Sequence, residues 1–334
     1  MPEFKTYRGS ASGEIKESTS TAELGPTQVL VQITHSGLCG TDIHYKHSDI
    51  ALGHEGVGVI KQTGSNARLF KVGDRVGWGY VHNSCGNCKW CLTGWDTLCP
   101  ERKLYGTDDL HQGSMGSHAI WDEKYVFAIP DSISSENAAP LMCGGATVFN
   151  SLKVYNVRPT DCVGVIGVGG LGHLAIQFAS KMGCKVVVFS SSEDKKAEAM
   201  KLGASEFVVT KGVKNLTVST KIDHLLVTTS SPPDWQQLIP VLAPGATIYP
   251  LTVDAGDLRF PYMGLIANAF RIQGSLVAAR QIHKEMLEFA AQHGIKPITQ
   301  TFPLNKEGIS QAFETLESGK MRYRGVLVAE SERT

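Results

Sequence analysis

The sequence carries no net charge: Lys+Arg and Asp+Glu are both 32 in 334 residues. Without a basic field it offers nothing to a nucleic-acid backbone or an anionic lipid surface, so neither is an expected partner. It has no run approaching the ~20 apolar residues of a membrane-spanning helix. It also has no internal repeat and no low-complexity tract. The opening MPEFKTYRGSASGEIKEST is polar and mixed in charge, unlike a secretory signal, so a cytoplasmic, reducing location is expected. With 42% hydrophobic and 19% charged residues the composition excludes extensive disorder. The length asks for two domains rather than one core. What the chain does have is 35 glycines, above the usual share of roughly 7%.

It also has 8 cysteines, unevenly placed. Cys85, Cys88, Cys91 and Cys99 share the segment CGNCKWCLTGWDTLC, spaced C-x2-C-x2-C-x7-C. A tetrahedral Zn²⁺ satisfies four such thiolates together. The rival is an iron–sulfur cluster, whose run is C-x2-C-x2-C-x3-C-P, and Pro100 does follow Cys99. The last gap is seven residues instead of three and no second cluster motif follows, which favours structural zinc. A second constellation is dispersed: Cys39 in CGTDIH, His54 and Glu55 in GHEGVG, and Cys143 in LMCGGATVF. One imidazole and two thiolates make a three-ligand zinc site with a fourth position open. Each residue alone has a plainer reading, since a lone cysteine is more often a buried hydrophobe. Together with the four-cysteine loop they predict two Zn²⁺ per chain. Cys162 and Cys184 sit in apolar contexts and read as core, while Trp90, Trp95 and Trp121 read equally as core or pocket.

Residues 163–172 read VGVIGVGGLG. A buried strand, Val163–Ile166, leads into Gly167, Gly169 and Gly172 as G-x-G-x-x-G, with Gly170 and Leu171 between the last two. Leu171, Leu174, Ala175, Phe178, Ala179 and Met182 keep helical spacing up to Gly183, and Val186–Val188 is a second strand. Strand, glycine turn, helix and strand form the setting in which this fingerprint binds a dinucleotide pyrophosphate at a helix N-terminus. At the end of the second strand an NAD site carries an acid for the ribose hydroxyl. Here the run is Ser190-Ser191-Ser192-Glu193-Asp194-Lys195-Lys196. Hydroxyls and ammonium groups at Ser190, Ser191 and Lys195 suit a 2′-phosphate, so NADP(H) is expected over NAD(H). The plainer reading is that the same run caps the next helix.

The first part of the chain is β-rich: VLVQITHSGL, GVGVIKQTG and VGDRVGWGY are short strands broken by glycine. Strand and helix then alternate, with Ile222–Val227 and Ala246–Leu251 as strands and Trp235–Leu242 a helix between them. His283–His293 is a predicted helix, and Tyr323–Val328 returns to strand. The organisation is an α/β two-domain chain, with residues 1–147 and 286–334 forming a β-rich domain around a doubly wound parallel sheet at 148–285.

These motifs, with NAAPLMCGGATVF and the late MRYRGVLV, make the chain resemble the zinc-containing medium-chain alcohol dehydrogenases, specifically their cinnamyl-alcohol-dehydrogenase-like branch. The resemblance spans nearly the whole length. It implies a GroES-like catalytic domain plus a Rossmann NADP(H) domain, interconversion of small-molecule alcohols and aldehydes, and a homodimer. By resemblance Cys39, His54 and Cys143 are catalytic zinc ligands with Glu55 near the metal, and Asp42 orients His54. Thr41 and His44 match a proton relay, and Cys85, Cys88, Cys91 and Cys99 the structural zinc lobe. The departure is the gap from Cys39 to His54, which is shorter than the family's and includes HYKHSDIALG. A shortened loop there is expected to widen or reshape the substrate entrance, admitting a bulky carbonyl or a conjugated C=C or iminium bond. An NAD-dependent polyol dehydrogenase would typically place glutamate where this chain has Cys143. A non-enzymatic NADPH-binding protein would have lost a ligand or relay residue, and none is missing.

Overall fold

The computed structural model describes residues 1–254 and 256–332. The chain divides into two compact units, Met1–Ala146 with Val277–Thr334, and Thr147–Leu276. The boundary expected after residue 285 falls inside the helix Arg280–His293, which lies wholly in the first unit.

The first unit is built on the strand Gln28–Leu38, whose alternating side chains feed two cores. Val29, Val31 and Ile33 pack with Ile60, Val76, Trp78 and Trp121 on one face. Leu38 joins Leu52, Tyr105, Phe302, Phe313 and Leu327 on the other. The sheet runs Thr299–Pro303, Arg324–Val328, Gln28–Leu38, Glu55–Thr63, Arg75–Trp78, Phe127–Ala128, with His118–Asp122 also paired to the central strand. A strand from the chain's end therefore completes a sheet begun near its start. Register decides what gathers at one end of that sheet. Glu55 lies opposite Gly37 and Gly325 opposite Leu38, so Cys39, His54 and Arg324 are immediate neighbours of paired residues.

The second unit holds a six-stranded parallel sheet: Glu206–Val209, Lys185–Ser190, Cys162–Ile166, Ile222–Val227, Leu242–Pro250, Arg271–Ile272. In chain order this is 3-2-1-4-5-6, the dinucleotide-binding arrangement, which places a ligand crevice at the carboxyl end of the first strand. The first strand is buried throughout, as parallel strands covered on both faces are. The segment after Trp235 differs from the expected helix: it is helical only over Trp235–Leu238, then a 3₁₀ turn at Ile239–Val241. Pro240 removes an amide donor and ends the helix, and Leu242 already opens the next strand.

Candidate metal and dinucleotide sites

Cys39 closes the central strand and opens the helix Gly40–Tyr45. Its Sγ accepts from the Thr41 amide at 3.3 Å, and Asp42 Oδ2 accepts from the Cys39 amide at 3.0 Å, a reciprocal cap. The other Asp42 oxygen lies 3.0 Å from His54 Nδ1. That bond assigns the ring proton to Nδ1 and leaves Nε2 as the coordinating atom, 3.4 Å from Cys39 Sγ. Cys143 enters from a π-helical turn, Leu141–Gly145, that follows the helix Ser135–Pro140. One donor atom from each of Cys39, His54, Glu55 and Cys143 lies within 4.8 Å of the others.

The electrostatics suit a cation. Burial works against a charged His54, but Asp42 and then Cys39 hold the imidazole well above its ordinary value. The Cys143 thiol beside it brings the Cys39 thiol well below the usual range, while Cys39 and burial hold Cys143 well above it. Glu55 is pushed up to about 7 by burial, with Arg324 pulling the other way. Arg324 donates to Glu55 Oε1, while Oε2 is buried without a hydrogen-bond partner. Gly37 makes the room for that carboxylate, since a Cβ there would sit 2.0 Å from Oε2. Two thiols, an imidazole and an orphaned carboxylate oxygen converging in a buried space fit a zinc ion.

In the second cluster, the Cys85–Cys91, Cys88–Cys91 and Cys85–Cys99 sulfurs are 3.9, 3.6 and 3.6 Å apart. A tetrahedral ion with Zn–S bonds of ~2.3 Å spaces its sulfurs by ~3.8 Å. The four thiols thus fit one mononuclear ion rather than a cluster of several irons. Cys85 is drawn down to about 7 by the amides of Asn87 and Cys88, as a metal thiolate requires.

In the second unit Gly167 (φ +88°) turns the chain out of the first strand, and the helix Gly172–Lys181 follows. Gly172 is obligatory, because a Cβ would come within 1.8 Å of the Gly167 carbonyl oxygen. A Cβ at Gly169 meets nothing within 4 Å, so the backbone there is open to a pyrophosphate's approach. Gly170 and Leu171 lie half-buried between them. Ser190 ends the second strand half-buried, Ser191 is exposed, and Lys195 Nζ donates to the Val168 carbonyl at 2.7 Å, above the glycine turn. The helix Lys196–Leu202 has Lys195 at its N-cap with no side-chain cap, so the serine run does not serve as one.

Thr41 is half-buried and His44 exposed on the helix Gly40–Tyr45. Cys162, Cys184 and Trp121 are buried, while Trp90 is exposed. Two residues at the first site were not among the candidate site residues of the sequence. Arg324 stands in the late MRYRGVLV segment, which gave it no role at the site, and Tyr105 stacks on His54 from a loop with no motif.

Residues 25–131 match the family described as alcohol dehydrogenase GroES-like domain, and 170–292 the family described as zinc-binding dehydrogenase. An alcohol dehydrogenase from Geobacillus stearothermophilus is 34% identical over 330 residues, covering 94% of this chain and 95% of that one. A cinnamyl alcohol dehydrogenase from Sorghum bicolor superposes with a TM-score of 0.90 at 28% identity over 100% of both chains. CAD from Helicobacter pylori, solved with NADP(H), gives 0.87 at 27% identity over 99% of both. The chain belongs to the zinc-containing medium-chain alcohol dehydrogenases and is of their cinnamyl-alcohol-dehydrogenase-like kind.

Proposed function

We propose that this protein is a zinc-dependent oxidoreductase that interconverts an alcohol and an aldehyde with NADP(H), reducing bulky or aromatic aldehydes. The observation that carries the reading is the convergence of Cys39, His54 and Cys143 donors beside the Glu55 carboxylate. Bound there, zinc supplies Lewis acidity toward a substrate oxygen and the nicotinamide supplies or accepts hydride. The chain's own residues do the rest. Asp42 fixes the His54 tautomer and ring direction. Thr41 and His44, three residues apart on one short helix, pass the substrate hydroxyl proton to and from solvent. Arg324 holds Glu55 beside the donors.

Gly167, Gly169, Gly170, Leu171 and Gly172 receive the pyrophosphate, and Ser190, Ser191 and Lys195 receive the 2′-phosphate. The H. pylori relative's complex with NADP(H) supports the same preference. Four further ligands, Cys85, Cys88, Cys91 and Cys99, take a structural zinc, and thiolates of this kind suit a reducing cytoplasm. A homodimer is supported by exposed apolar side chains in the segment leading into the edge strand of the second unit's sheet: Leu258, then Tyr262, Met263 and Ile266 on the helix Tyr262–Ala267, with Ile272 on the edge strand itself.

Initial rates with cinnamaldehyde, comparing NADPH with NADH, test the reading. Rapid NADPH oxidation with little from NADH is the expected result. No aldehyde turnover with either cofactor overturns it and turns attention to a conjugated C=C or iminium substrate.

A further inference from the structure

We propose that Tyr105 is a positioning residue that clamps the His54 imidazole, a role that rests on the metal-site reading above. Tyr105 is 1% exposed and reaches His54 by two routes. Its ring stacks on the imidazole with centroids 4.7 Å apart and planes 28° from parallel. Its hydroxyl accepts from the amide of Gly53, the residue before His54, at 3.0 Å.

Each contact removes a different freedom. The Asp42 bond fixes one ring atom but leaves the imidazole free to tilt about it, and a tilt carries Nε2 away from Cys39 and Cys143. A second ring lying flat against the first opposes that tilt. Anchoring the Gly53 amide fixes where the backbone enters His54, at a position where φ is +93°. Tyr105 is itself held: its amide donates to the Tyr80 carbonyl at 2.9 Å, and Tyr45 meets its ring edge-on at 5.1 Å. Gly106 preserves this packing, since a Cβ there would fall 2.0 Å from the Tyr45 ring. Phenylalanine at 105 would keep the stacked face but leave the buried Gly53 amide without its acceptor. Leucine would lose both.

The test uses the full-length zinc-loaded protein with Tyr105→Phe and Tyr105→Leu. Zinc release to a colorimetric chelator is followed in time, and a Cys143→Ser variant identifies which kinetic phase belongs to the Cys39–His54–Cys143 site. Leucine should speed that phase by about 10-fold or more, the effect expected when a partner of a metal-ligating histidine is lost. The four-cysteine phase should not change, and phenylalanine should recover most of the retention. The visible spectrum of Co²⁺-substituted protein should shift with leucine and less with phenylalanine. If the wild type holds two zinc ions and leucine changes neither release nor spectrum, Tyr105 does not position His54. If the wild type holds zinc only at the four cysteines, the site reading falls and this proposal with it.

Discussion

Arg324 and Glu55 form an ion pair almost wholly shielded from water. Removing one member of such a pair leaves an uncompensated buried group and costs about 3–5 kcal/mol. Arg324→Leu should therefore lower unfolding stability by that order, read by urea denaturation at pH 8, and carry the Glu55 carboxyl further above its value of about 7. His283 behaves differently. Its ring stacks on Phe127 at 4.1 Å, its Nε2 has no hydrogen-bond partner, and burial pushes the imidazole down to about 3. In the unfolded chain a histidine takes up its proton near pH 6.5. Between those values the unfolded state binds one proton more, so stability is fully present above about 6.5 and falls as pH drops, by ~1.4 kcal/mol per pH unit. His283→Leu should flatten that limb, and an unchanged slope between pH 6 and pH 4.5 would refute the assignment. At this scale His54 was legible because it sits in a motif with Glu55. The pairings of Arg324 and Tyr105 were not, because their partners lie 269 and 51 positions away along the chain.

The helix Arg280–His293 shows how elements depend on one another within the first unit. Its N-cap is Ala279, which offers no side-chain acceptor. Asp96, buried within the four-cysteine segment, takes the part: Oδ1 accepts from the Arg280 amide at 3.2 Å and Oδ2 from the Arg280 guanidinium. Tyr125 links the carboxylate back to the lobe, donating to Ser84 at 2.6 Å, and Ser84 in turn meets Cys91 Sγ at 3.2 Å. Asp96→Ala should cost about 2 kcal/mol through the lost cap and the stranded guanidinium. Faster amide exchange over residues 280–284 would show the loss to be local, and unchanged exchange there would exclude the cap. Periodicity placed this helix only from His283, because its first turn is specified by a carboxylate from another part of the chain rather than by its own residues. The opposite holds for Gly172–Lys181, where glycine spacing and an apolar face mark the whole element.

For the molecule as a whole, the apolar edge of the second unit is expected to be covered by a second copy. Charges placed there should separate the copies, so Met263→Glu with Ile266→Glu should move the sedimenting species from dimer to monomer. A monomeric wild type would overturn that expectation. By itself the sequence determined the two-part organisation, both cysteine-rich donor sets and the glycine turn. The four-cysteine loop and the glycine turn are local, a few residues within one segment carrying the chemistry, whereas the dispersed Cys39, His54 and Cys143 were legible through the short motifs around each of them. Tertiary structure decided the remainder. The pairing of Gln28–Leu38 with Arg324–Val328 brings an arginine from the chain's end to a carboxylate near its start. The stack of Tyr105 on His54 fills space beside a short connection, and the cap from Asp96 completes a helix far along the chain. Burial supplies the physical reason, since a charge or a polar atom removed from water must find its partner in space, and no spacing along the chain records where that partner lies.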